Sequence, residues 1–222
     1  MMLAPPEPLP NARNQMGGMM LLRAVRDGAA ALAFLDPQYR VVLDRQRYGN
    51  EGARQKGRVA LPQQSDDGIR GMVEDLARAL RPSGHLMLWV DKYIVGSGHH
   101  LCYLRDAPSL AVVDLIAWNK TRPGMGRRAR CQTEYVVVLQ KLPTRAKGIW
   151  TDTNLPDSWT EQADRSRHPH AKPHVLTERL IRATTRRGDL VLDPCAGSYV
   201  VLDACQASGR QFLGCDISEF RG

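Results

Sequence analysis

Three apolar runs of strand length in this chain end in an aspartate: AALAFL before Asp36, LVL before Asp193 and FLGC before Asp216. Such a placement acquires meaning when the strands lie side by side and run the same way, because open parallel sheets bind ligands beyond the carboxyl ends of their strands. The intervening segments supply that arrangement. DDGIRGMVEDLARALRPSG carries apolar residues at helical spacing, with Asp66 or Asp67 near its start and Gly84 past its end. HLMLWV reads as a further strand, and a helix is expected around Ser97 to Arg105. KPHVLTERLIRATTRRG reads as a helix ending at Gly188, and SYVVLDACQASG as a short helix before the last strand. LAVVDLIAW and TEYVVVLQK are two strands joined by NKTRPGMGRRARCQ, whose Pro-Gly and Gly-Arg steps favour turns, so a hairpin connects them. The expected fold is therefore α/β: a Rossmann-like, doubly wound, mostly parallel sheet with helices on both faces and an antiparallel hairpin edge.

A chain of 222 residues with 43% apolar content can bury one substantial core. The expected organisation is a disordered Pro-rich leader over 1–14 and one domain over 15–222, with insertions around 40–65 and 119–167. No apolar run is long enough to span a bilayer, and the leader lacks the apolar centre of a signal peptide, so a cytoplasmic protein is expected. Cys102, Cys131, Cys195, Cys205 and Cys215 are scattered without a Cys-x-x-Cys pair, which fits reduced thiols rather than a disulfide frame or a zinc site. His168, His170 and His174 lack acidic or thiol partners at ligand spacing, so no metal is expected.

The net charge is +8, and it is clustered. Arg40, Arg45 and Arg47, with Arg54, Lys56 and Arg58 behind them, follow FLDPQY. Lys120, Arg122, Arg127, Arg128 and Arg130 fill a second stretch without an acid among them. Basic loops of this kind suit a polyanion, since Lys and Arg displace condensed counterions from phosphates, although a solvated basic surface has the same composition.

The strand ends carry the chemistry. Pro37 cannot donate to a strand ladder, so FLDPQY places Asp36 and Tyr39 just beyond a strand. VLDPCAGS sets an acid, a proline and small residues directly before a helix, an arrangement that lets backbone approach a nucleoside-type ligand. Asp216 follows at the end of the next strand, roughly 20 residues on, the spacing of an acid that accepts hydrogen bonds from ribose hydroxyls. By spacing alone this could be any nucleotide site or a structural strand-to-helix turn.

Together these segments resemble the amino-group DNA methyltransferases. The Asp-Pro-Pro-Tyr signature of that family resembles Asp36, Pro37, Gln38 and Tyr39. Its Asp-Pro-Phe-x-Gly-Ser-Gly turn resembles Asp193, Pro194, Cys195, Ala196, Gly197, Ser198 and Tyr199. HAKPHVLTERLI is similar to the Lys-Pro helix before that turn, and AWNKTRPGMGRRARCQTEYVVVLQK to the Trp-x-Lys through Glu segment. The catalytic signature precedes the cofactor turn, which is the circularly permuted motif order of the beta class within the class I methyltransferase fold. Four positions depart from the pattern: Gln38 replaces the second proline, Cys195 the aromatic and Tyr199 the second glycine, while Gly18 stands where an acid usually contacts the cofactor's adenine.

The resemblance implies S-adenosyl-L-methionine as cofactor, held by Asp193, Pro194, Cys195, Ala196, Gly197, Ser198 and Asp216, with Lys172 and Pro173 at its methionine end. It implies catalysis by Asp36, Pro37 and Tyr39 on the exocyclic amine of a base flipped out of double-stranded DNA. Asp36 in the first position points to adenine N6, where Ser would point to cytosine N4. The implied partners are DNA, contacted through Arg40, Arg45, Arg47, Lys120, Arg122, Arg127, Arg128 and Arg130, and a second copy of the chain in a homodimer. A bacterial or phage modification enzyme is the expected setting. Cytosine-N4 or RNA methylation shares the cofactor. A silent relative that keeps the fold as a DNA-binding module is the reading that Gly18, Cys195 and Tyr199 motivate.

Overall fold

The computed structural model describes residues 7–39, 64–124, 128–162, 164 and 171–217. Arg40, Arg45, Arg47, Arg127, His168 and His170 lie outside them. In chain order the elements are β1 (Asn14–Gln15), α1 (Gly18–Ala24), β2 (Ala30–Leu35), α2 (Asp66–Ala79), β3 (Leu80–Val90), α3 (Lys92–Gly96), a 3-10 helix (His99–Leu104), β4 (Leu110–Asn119), β5 (Thr133–Lys141), β6 (Ser158–Thr160), α4 (His174–Thr184), β7 (Leu190–Asp193), α5 (Val200–Ser208) and β8 (Gln211–Asp216).

The eight strands form one sheet in the order β1-β8-β7-β2-β3-β5-β4-β6. All neighbours are parallel except β5, which runs antiparallel to both β3 and β4. This is the α/β, doubly wound sheet with a hairpin edge that the alternation of runs predicts. From β2 the chain winds outward through β3, and from β7 it winds the other way through β8, so the strand order reverses between β2 and β7.

The period-2 geometry of strands divides the core into two layers. Leu35, Leu86, Leu88, Val137, Leu139, Leu192 and Cys215 face one side, where α1, α2, α3 and the 3-10 helix pack. Leu32, Phe34, Met87, Trp89, Val136, Val138, Val191 and Phe212 face the other, against α4 and α5. Central strands buried on both faces read as continuous apolar runs, which is why AALAFL and HLMLWV lack alternation.

The structure corrects four boundaries. Helix α2, capped by Ser65 Oγ accepting the Gly68 amide at 3.1 Å, stops at Ala79. Leu80 already pairs with Ala30, and a register irregularity follows before His85 pairs with Leu32. Gly84 therefore belongs to a bulged strand: a Cβ there would lie 2.9 Å from the Arg81 carbonyl oxygen and 3.0 Å from that of Ala31. The helix expected at 97–105 is a 3-10 helix, preceded by α3, which Asp91 caps on the amides of Tyr93 and Ile94, with left-handed Gly98 between them. Helix α4 ends at Thr184, and Gly188 sits in the following turn at φ +83°. Finally, the leader expected over 1–14 is ordered from Leu9: Asn11 bonds the Phe212 carbonyl, and Asn14 Nδ2 donates to the carbonyls of Leu9 and Gly214 at 2.9 Å. Tertiary hydrogen bonding overrides its Pro-rich composition.

Candidate active site

The reversal between β2 and β7 brings the two signatures together. Ala33 pairs with Leu192, so the segments carrying Asp36 and Asp193 leave the sheet from adjacent parallel strands at the same end. Asp216 leaves β8 beside β7. This is the crevice that a doubly wound sheet offers to a ligand.

Beyond β2 the chain is held from several directions. Pro37 is buried, and the Gln38 carbonyl accepts the Gln64 amide at 2.9 Å. The Tyr39 hydroxyl donates to the Trp89 carbonyl at the end of β3. The Tyr39 ring stacks on Tyr103, with centroids 6.2 Å apart and planes 19° from parallel. Burial, reinforced by the Asp36 carboxylate, raises the Tyr39 phenol well above its ordinary range and keeps it a donor.

Asp36 lies in a line of alternating charge. Its Oδ2 accepts from Lys172 Nζ at 3.0 Å; Lys172 Nζ also reaches Glu134 Oε2 at 2.9 Å; Glu134 Oε1 accepts from Lys120 Nζ at 2.9 Å. The Lys172 ammonium stands 5.0 Å from the centre of the Trp89 ring, within cation–π range. Burial would push the Glu134 carboxyl up, but Lys172 and Lys120 outweigh it and hold the group at about 2. Burial would depress the Lys172 ammonium, yet Asp36 and Glu134 raise it above its ordinary value. Asp36 itself is raised: desolvation exceeds the attraction of Lys172, and Glu134 adds repulsion.

The turn after β7 is shaped by close backbone approach. Asp193 is 4% exposed and its Oδ1 accepts the Cys195 amide at 3.2 Å. Its carboxyl is raised well above the usual range by burial, with Asp36 and Asp216 adding repulsion. The Gly197 amide donates to Asp216 Oδ2 at 3.1 Å, tying the turn to the end of β8. Gly214 is required by contact, since a Cβ there would lie 2.5 Å from the Asp193 carbonyl oxygen.

The departures from the family pattern have physical accounts. Gly18 starts α1 against the turn; a Cβ on it would fall 2.6 Å from the Pro194 carbonyl oxygen, so no larger residue fits without a shift. Tyr199 adopts φ +58°, the left-handed conformation that favours glycine at this position. It is 3% exposed, its hydroxyl donates to the Asn14 carbonyl at 3.0 Å, and its ring packs edge-on to Phe212, with centroids 6.2 Å apart. Those contacts offset a backbone cost of about 1–2 kcal/mol. Cys195 receives Gln64 Nε2 at 3.8 Å, and Gln64 Oε1 is buried with no partner. A vacant acceptor beside the turn suits a cationic or N–H-bearing ligand group.

The basic hairpin divides. Arg122, Arg128 and Arg130 are exposed, as DNA contacts require. Lys120, expected among them, turns inward: its side chain is 13% exposed and is spent on Glu134. Pro173 forms the entry to α4, where its carbonyl accepts from Thr177 and the open amides of Val175 and Leu176 are capped by Glu161 at 2.9 and 3.0 Å. Sequence reasoning missed Tyr103, Gln64 and the joining of Lys172 to Lys120 by Glu134. The signal available for Glu134 was its place on a strand directly after a loop rich in cations; the other two are recognisable only by proximity. Among the described residues no group of His, Cys, Asp and Glu could hold a metal, and no helix is long and apolar enough to cross a membrane.

Comparison with known proteins agrees with this geometry. The chain is 46% identical over 208 residues to the Type II methyltransferase M.HhaII of Haemophilus parahaemolyticus, covering 93% of this chain and 91% of the relative. It is 27% identical over 161 residues to the Type II methyltransferase M2.DpnII of Streptococcus pneumoniae, covering 63% and 58% of the two chains. In fold it is similar to the PvuII cytosine-N4-specific DNA methyltransferase (TM-score 0.70, 16% identity, 93% and 82% coverage) and to the M1.HpyAVI–SAM complex (TM-score 0.64, 18% identity, 92% and 91% coverage). The DNA methylase family profile for N6 and N4 amino-methyltransferases matches residues 30–221, from the strand before Asp36 to beyond Asp216, and the chain belongs to that family.

Proposed function

We propose that the protein transfers a methyl group from S-adenosyl-L-methionine to the exocyclic N6 amine of adenine within a specific sequence of double-stranded DNA. The observation that carries this reading is the juxtaposition, at one strand-order reversal, of Asp36 with Asp193 and Asp216. The cofactor supplies an electrophilic methyl on a cationic sulfur. Asp216 suits its ribose hydroxyls, and the turn Asp193, Pro194, Cys195, Ala196, Gly197 and Ser198 suits its remaining length without large side chains in the way. The orphaned Gln64 Oε1 can accept from its ammonium. Lys172 and Pro173 bound the end of the pocket nearest Asp36, where the methionine portion must reach.

The target amine is a poor nucleophile because its lone pair is delocalised into the ring. An Asp36 carboxylate and the Pro37 carbonyl each accept one N–H, which favours a pyramidal nitrogen with its lone pair directed at the methyl. Gln38 leaves this intact, since the carbonyl belongs to Pro37. The base must leave the duplex, at a cost of a few kcal/mol. Stacking on Tyr39, itself stacked on Tyr103, recovers about 1–3 kcal/mol. Arg122, Arg127, Arg128 and Arg130, with Arg40, Arg45 and Arg47, anchor phosphates or read base edges.

A homodimer is part of this reading. The outer edge of β4 before Ala117 pairs with no strand among the described residues and exposes Val112, Val113 and Leu115, a surface suited to a second copy. Light scattering at micromolar concentration should give the dimer mass. Nucleoside mass spectrometry of DNA from expressing cells tests the main reading: N6-methyladenine that disappears in Asp36→Ala supports it, whereas N4-methylcytosine, or no modified base, overturns it.

A further inference from the structure

The charged groups around Asp36 have more order than an acceptor needs. Lys172 Nζ is shared between Asp36 Oδ2 at 3.0 Å and Glu134 Oε2 at 2.9 Å, and Glu134 uses its second oxygen on Lys120 at 2.9 Å. Lys172 is 14% exposed at its side chain, so it is no surface ion pair held loosely by solvent. Its backbone is fixed as well: Pro173 follows it into α4, whose first amides are capped by Glu161, and Glu161 is anchored through its carbonyl to Trp118 Nε1 at 2.8 Å. The ammonium also rests over the Trp89 ring, and the same residue's carbonyl holds Tyr39. Each partner comes from a different part of the fold: Asp36 after β2, Glu134 on β5, Lys120 just after β4, and Lys172 just before α4.

We propose that Lys172 is a positioning residue for methyl transfer, holding the Asp36 carboxylate ionised and aimed at the target amine, with Glu134 and Lys120 setting how strongly it does so. The proposal rests on the reading of Asp36 as the amine acceptor. A carboxyl group that keeps its proton has one oxygen turned donor and only a neutral carbonyl oxygen left to accept, so an un-ionised Asp36 is a much weaker acceptor for the amine. The surroundings press it in that direction. Desolvation and Glu134 favour the protonated form; Asp193 and Cys195 in the turn after β7, and Tyr39 on its own segment, are close enough for the Asp36 charge to act on them. Lys172 is the cation that opposes desolvation and Glu134. Glu134 has two effects: it repels Asp36 directly, and it shares the ammonium.

This arrangement makes two substitutions move the same quantity in opposite directions. The readout is the single-turnover methylation rate with cofactor and cognate DNA saturating, between pH 5.5 and 9.5, alongside cofactor affinity by calorimetry and thermal melting. Lys172→Met should displace the acid limb of the pH–rate profile to higher pH, lowering the rate at neutral pH by about 10²-fold, the low end of the range for losing a positioned acid–base group, with recovery as alkali ionises Asp36. Glu134→Gln should displace the same limb to lower pH. Cofactor affinity should change by less than about threefold in Glu134→Gln, and saturating cofactor keeps any change in Lys172→Met, which bounds the proposed cofactor pocket, out of the rate. A merely structural pair would depress the rate at every pH without displacing the limb in opposed senses, and that result overturns the proposal, as does a Lys172→Met profile that superimposes on wild type. If Lys172→Met fails to fold, the direction of the Glu134→Gln shift decides: an upward shift or none overturns it. Asp36→Ala separates the two levels of inference. Retained turnover in that variant removes the acceptor reading itself, whereas lost turnover together with unmoved limbs removes only the role of Lys172.

Discussion

The Gly197 amide donates to Asp216 Oδ2 at 3.1 Å, so the acid at the end of β8 organises the turn after β7 before any ligand arrives. Asp216→Ala should therefore weaken S-adenosyl-L-methionine binding both by loss of the ribose acceptor and by release of the turn. The expected cost is ~1.5–3 kcal/mol, the value of hydrogen bonds to charged groups. Isothermal titration measures it, and an unchanged affinity removes Asp216 from the site.

Asp36→Ala should abolish methyl transfer while cofactor binding survives, because the carboxylate orients the amine and belongs to a different strand end from the cofactor turn. Turnover near wild type would refute the catalytic role. The variant also leaves Lys172 with Glu134 as its carboxylate partner at this end of the charge line, so the ammonium stays paired and the fold should persist, which far-UV circular dichroism checks.

Glu134 has a depressed folded-state pKa, about 2 against an ordinary 4.5, so its ionisation stabilises the fold. The sign follows: the contribution is fully present above about pH 4.5 and is lost as pH falls toward 2. Glu134→Gln should lower unfolding free energy at pH 7 by on the order of 1–3 kcal/mol. Denaturant titrations at a series of pH values should show the gap between wild type and variant closing below pH 4.5. A gap independent of pH would mean that the loss is one of packing rather than charge.

The guanidinium groups of the hairpin loop should contribute salt-dependent affinity. Replacing Arg127, Arg128 and Arg130 together by Ala should flatten the slope of log affinity against log salt by about 0.9 for each phosphate no longer neutralised. An Arg that reads guanine would instead cost ~1–3 kcal/mol on cognate DNA and far less on random duplex. Titrations of both duplexes across a salt series distinguish the two. If the variant binds both like wild type, the loop is a solvated turn, and recognition must reside in the basic stretch from Arg40 to Arg58.

Much of the architecture was legible in the residues because local rules and the global fold agree. Apolar runs of strand length, an amphipathic helix with Asp66 or Asp67 near its start, and the short helix of SYVVLDACQASG before the last strand all point to alternating strands and helices. The strand-end acids, two of them followed by proline, marked the candidate site, since buried parallel strands expose chemistry only at their ends. Boundaries were less legible where tertiary contact decides them. Nothing local distinguishes ALRPSG as a helix end from the bulged strand start that pairing with β2 makes of it. Strands of two and three residues, β1 and β6, have no periodicity to read and exist because β8 and β4 offer them partners.

Residue order alone specified the kinds of chemistry present: three strand-end acids, an aromatic after one of them, a small-residue turn after another, and two clusters of cations. Which charges meet was settled by the fold. Lys172 and Lys120 carry the same ordinary ammonium as any surface lysine, and Glu134 is one acid among many. Strand order carries them into a partly buried cleft, where Asp36 and Glu134 share the Lys172 ammonium and Lys120 closes the line. Lys120 consequently serves the interior, while Arg128 and Arg130 from the same loop stay outside. Hydrogen bonding and Coulomb attraction act through distance and dielectric, and both are properties of the folded arrangement rather than of the order of residues along the chain.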